Sequence, residues 1–88
     1  MADQYERMRA RLLAAIAEHE QGLLDDAGLQ ATLSEAAAAL DKAPARVWRA
    51  LFEADVVLEY VQDGHPLNSN DLVAPLKRLR RNLREALR

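Results

Sequence analysis

Cysteine is absent from this 88-residue chain, which excludes disulfides and thiolate metal sites and suits a reducing compartment. Histidine is nearly absent: His19 and His65 lie far apart, with no carboxylates clustered at ligand spacing, so neither a metal nor a cofactor is expected. Glycine and proline occur three times each, and no glycine-rich phosphate loop is present. The few hydroxyls, Thr32, Ser34 and Ser69, read as helix or cap residues. His65 stands near Asp63, but one such pair makes a poor general acid–base site. His19 falls on an apolar helical face and reads as a packed histidine. A non-enzymatic protein is therefore expected.

No apolar run approaches the ~20 residues that a membrane span needs. Asp3 and Glu6 occupy the region where a secretory signal would carry basic residues, so a soluble, cytoplasmic protein is the expectation. A domain this small buries only about 60 to 65% of its exposable surface. Chains of this size usually lean on a disulfide, a metal or another subunit. With the first two set aside, oligomerisation is the expected support, in the form of a homodimer.

What the chain has in plenty is alanine and leucine, within a composition that is 50% hydrophobic with few β-branched residues. That favours helix over strand. Spacings of three and four set Tyr5, Met8, Leu12, Ala15, Ile16 and His19 on one face of a first helix, started by Asp3 and Glu6 as a capping-box variant. Gly22 is a natural stop, with Leu23 placed to fold back on the last turn. Asp25 or Asp26 caps a second helix whose stripe is Leu29, Leu33, Ala36, Ala37 and Leu40. Pro44 suits the first turn of a third. The segment from Gly64 to Asp71 reads as a loop. Leu72, Leu76, Leu79, Leu83 and Leu87 then form a leucine seam in a fourth helix, in which Pro75 is acceptable only within the first turn. The expected architecture is all-α: one domain over residues 1–88, a small up-and-down four-helix bundle with helices near 4–21, 26–40, 44–63 and 71–87.

The third helix is the most informative. At about 100° per residue, Val47, Leu51, Ala54, Leu58 and Val61 line one stripe. Trp48, Phe52, Val56 and Tyr60, each four apart, line a second on the other side. A helix apolar on two sides needs two neighbours. An 88-residue chain has few helices to supply both, so the aromatic stripe reads as a partner-binding face.

Charge is unevenly spread. Lys77 to Arg88 carries +5 and residues 1–76 carry −7, within a net charge of −2. Lys77, Arg78, Arg80, Arg81, Arg84 and Arg88 solvate the leucine seam and complement the helix dipole. Arg80 and Arg84 are the candidates for charge complementarity at the rim of the binding face. In overall character, an acidic helical chain with a basic last helix resembles small bacterial antitoxin, immunity and adaptor proteins. The function this implies is protein interaction or regulation through an apolar helical face.

A rival reading starts from Leu33 to Phe52, where Ala37, Leu40, Val47 and Ala50 sit at small and apolar positions that resemble a helix-turn-helix. Asp41 and Lys42 depart from that pattern, standing where glycine and a buried apolar residue are usual. Under this alternative, residues 33–54 bind DNA through Arg46, Arg49 and Lys42, although Glu53 and Asp55 on the same helix repel phosphates. Asp63-Gly64 also permits a β-hairpin over residues 56–67, which would make the whole resemble a winged helix. The unbroken helical stripes from Val47 to Val61 favour a continuous helix instead.

Overall fold

A computed structural model describes residues 4–39, 43–62 and 69–88, with side chains in the last segment from residue 74 onward. Four helices make up the described residues: α1 (Gln4–Glu20), α2 (Asp26–Ala39), α3 (Ala45–Gln62) and α4 (Ser69–Ala86). No strand occurs among them. No helix in the described residues is long and apolar enough to cross a membrane. The hairpin alternative fails over residues 56–62, which are helical, and its remaining residues lie outside those described. The reason is burial: Ala54 and Leu58 continue the core stripe begun by Val47 and Leu51, and only an unbroken helix keeps all four on one side.

Each helix packs on its sequence neighbours, and α1 also packs on α4; the pairs α1–α3 and α2–α4 make no close backbone approach. The core draws from all four. Leu12 and Ile16 of α1, Leu29 and Leu33 of α2, Val47 and Leu58 of α3, Leu83 of α4 and Leu87 just past its end are all fully enclosed. Each such aliphatic side chain contributes about 1.5–3 kcal/mol relative to exposure. Ala36, Ala50 and Ala54 fill the remaining space where helices approach.

The α1–α2 connection is closed by local hydrogen bonds. Gly22 takes φ +79°, and the amides of Leu23 and Gly22 donate to the carbonyls of Glu18 (2.8 Å) and His19 (3.2 Å). This is a Schellman motif. Leu23 does not fold back as expected: it is 75% exposed, and Leu24 packs against the core in its place. Asp25 supplies the α2 cap, its carboxylate accepting from the Gly28 amide at 2.7 Å. Gly28 sits close against that turn, where an added Cβ would stand 2.6 Å from Leu24 Cδ1 and displace the end of that side chain.

Pro75 departs from expectation, lying in the second turn of α4 rather than its first. The helix begins at Ser69, two residues earlier than the sequence indicates, so one internal hydrogen bond is forfeited. Pro75 itself is exposed, so the ring does not intrude on the core. At the far end of α4, Arg9 Nε donates to the Leu87 carbonyl and Arg46 Nε to the Ala86 carbonyl at 3.3 Å. Two arginines from other helices thereby satisfy carbonyls that the end of a helix leaves open.

Candidate interaction surface

The two stripes of α3 have different fates. Val47, Leu51, Ala54 and Leu58 are buried. Phe52, Val56 and Tyr60 stay 70%, 49% and 46% exposed, and Trp48 is half-buried. The cause is the packing order. α3 has α2 on one flank and α4 on the other, and no described helix lies over its outward side.

Two grooves flank this strip. One, of about 410 Å³, runs between α3 and α4 and is lined by Ala50, Ala54, Val56 and Val57 against Pro75 and Leu79, with Glu53, Arg78 and Asn82 also on its wall. The other, of about 190 Å³, lies between α2 and α3 and is lined by Leu33, Ala37, Trp48 and Leu51, with Ser34 and Asp55. Phe52 borders both. Its ring is therefore a ridge between two shallow apolar channels. Stripe periodicity in the sequence found the ridge; the channels depend on how helices are spaced, which periodicity does not encode.

Arg80 and Arg84 are not part of this surface. Both line a separate pocket beside Glu20, on the side where α4 meets α1. Arg84 donates to the Glu20 carboxylate at 2.7 Å, and Arg80 lies 3.8 Å from it. These cations hold the Glu20 carboxyl below its ordinary value of 4.5, chiefly through the Arg84 hydrogen bond and charge. Arg80 also reaches Nδ1 of the buried His19 at 3.1 Å, while His19 Nε2 meets Asp26 at 2.7 Å. A basic residue does face the strip, but it is Arg78, accompanied by Asn82. No buried side-chain N or O lacks a partner among the described residues.

The residues of the DNA-binding alternative are only partly assembled. Arg46 and Arg49 are exposed on α3, but they share a shallow surface with Glu53 and Glu85, and Arg46 is occupied at the end of α4. Lys42 lies outside the described residues, as do Asp63 and His65. α3 packs against α2. Trp48 and Ala37 line the same groove, while Asp55 accepts from Gln30 at 3.0 Å and Gln62 donates to Gln30 at 2.6 Å. No group of three or more His or carboxylate residues able to hold a metal occurs among the described residues. No family model, characterised protein or solved structure matches this chain.

Proposed function

We propose that this chain is a non-enzymatic interaction module of the cytoplasm, an up-and-down four-helix bundle that binds a protein partner through the outer face of α3. The single observation that carries the reading is the exposure of Phe52, Val56 and Tyr60 in one line while Val47, Leu51, Ala54 and Leu58 on the opposite side of α3 are buried. Strips of this kind, with an aromatic ridge between apolar channels, have the composition of interface centres. The bundle topology is supported by the order of contacts. Arg9 meets Leu87 while His19 meets Arg80, and Trp48 shares a groove with Ala37 while Gln62 meets Gln30, an order that fits paired helices running in opposite senses.

The partner's contact is an apolar surface of another protein or of a second copy, with Arg78 and Glu53 offering one charge of each sign at the rim. The DNA-binding alternative has weaker support, because the Arg46–Arg49 surface is shared with two acids and Arg46 is engaged by the Ala86 carbonyl.

A photo-crosslinking amino acid placed at position 56, in cells making the chain at native level, tests the reading. A discrete protein adduct is expected there and not at Ala31, an exposed position on α2. Equal and diffuse labelling at both positions would overturn it. Retention on nonspecific DNA that weakens steeply with salt and is lost in an Arg46→Ala, Arg49→Ala variant would favour the DNA-binding alternative.

A further inference from the structure

We infer that the outer face of α3 pairs with the same face of a second copy, antiparallel, about a two-fold axis passing beside Phe52. This rests on the interaction-module reading and names its partner. The argument comes from how charge is laid along the strip. The first half of α3 carries Arg46 and Arg49, and the rest carries Glu53, Asp55 and Glu59. A parallel pairing would set like charges side by side, whereas an antiparallel one sets the basic half of each helix against the acidic half of the other.

The register follows from the same residues. A two-fold axis between antiparallel helices brings each flank of one against the identical flank of its mate. Arg49 and Glu53, four residues apart, share the flank that faces α4. Among the described residues neither has an ion-pair partner, and both are exposed. An axis level with the link between residues 51 and 52 brings Arg49 of each copy within one residue's rise of Glu53 of the other, giving the same pair twice. It also sets Phe52 near its counterpart and Trp48 near Val56, so the most exposed ring lies at the middle of the contact. The groove of about 410 Å³ between α3 and α4 gives each ring an apolar wall to lean on.

Charge reversal tests this directly by sedimentation equilibrium. The unaltered chain is expected to dimerise at micromolar concentration. Arg49→Glu and Glu53→Arg each turn two attractive pairs into two repulsive ones, and each is expected to weaken self-association about tenfold or more. An equimolar mixture of the two variants regains both attractive pairs, so it is expected to dimerise about as well as the unaltered chain. Both positions are exposed, and circular dichroism verifies that the helices persist.

A monomer at all concentrations up to several hundred micromolar overturns the inference. So does a dimer that either variant leaves intact, or a mixture that fails to recover. The crosslink at position 56 separates this failure from failure of the module reading. An adduct of twice the chain's mass is required here, whereas an adduct to a different protein keeps the module and rejects the second copy.

Discussion

The imidazole of His19 accepts from the Arg80 guanidinium at Nδ1, across 3.1 Å, and so ties the end of α1 to the middle of α4. Because a guanidinium only donates, Nδ1 is the acceptor, and the ring proton of neutral His19 belongs on Nε2, facing the Asp26 carboxylate at 2.7 Å. One buried side chain thus links three helices. Nitrogen-detected NMR at a pH where the ring is neutral is expected to show the Nε2–H tautomer. A proton on Nδ1 would contradict the arrangement.

The neighbouring Glu20 gives a pH signature. Its carboxyl is held below its ordinary value by the Arg84 hydrogen bond and charge, so the folded state favours the ionised form. The resulting stability is fully present above the unfolded value near 4.5 and is lost as pH falls through the folded one. Melting of the unaltered chain between pH 7 and pH 3 is therefore expected to decline more than that of Glu20→Gln. Identical profiles would show that the pair contributes nothing in solution.

Burial separates the two stripes of α3 energetically. Leu58→Ala removes a fully enclosed side chain, and the expected cost is about 2–5 kcal/mol. Phe52→Ala, measured at high dilution, is expected to change folding stability by no more than about 0.5 kcal/mol, as surface substitutions do. Equal losses in urea melts would mean that Phe52 belongs to the core.

Asp25 and Asp26 are adjacent yet serve different ends. Asp25→Ala removes the cap on the Gly28 amide, with an expected loss of about 1 kcal/mol. Asp26→Asn keeps the helix start but exchanges a carboxylate beside His19 for an amide. Helix content near residue 26 should therefore fall only in the first variant, as amide exchange of α2 would report.

How much of this was legible in the sequence varies with the range of the interaction. The core stripes of α1 and α3 follow from spacing alone, since burial repeats with the helix turn. Gly22 as a stop was legible for the same local reason, because a positive φ penalises a side chain. Leu23 was misassigned because two leucines stand together, and only the exit angle of the turn decides that Leu24 faces inward. Arg80 and Arg84 read as rim cations because their partners, Glu20 and His19, lie some sixty residues earlier. Nothing in a helical pattern specifies which neighbour a long cationic side chain will reach.

The two arginines at the end of α4 bear on how that helix opens. Most helices fray readily at their last turn, where carbonyls have only water. Here Arg9 and Arg46 clasp the Leu87 and Ala86 carbonyls from two different helices, while Pro75 has already removed one rung from the opposite end. Local unzipping of α4 is therefore expected to begin on the proline side, so amide exchange should be slower in the turn before Ala86 than in the turn around Pro75.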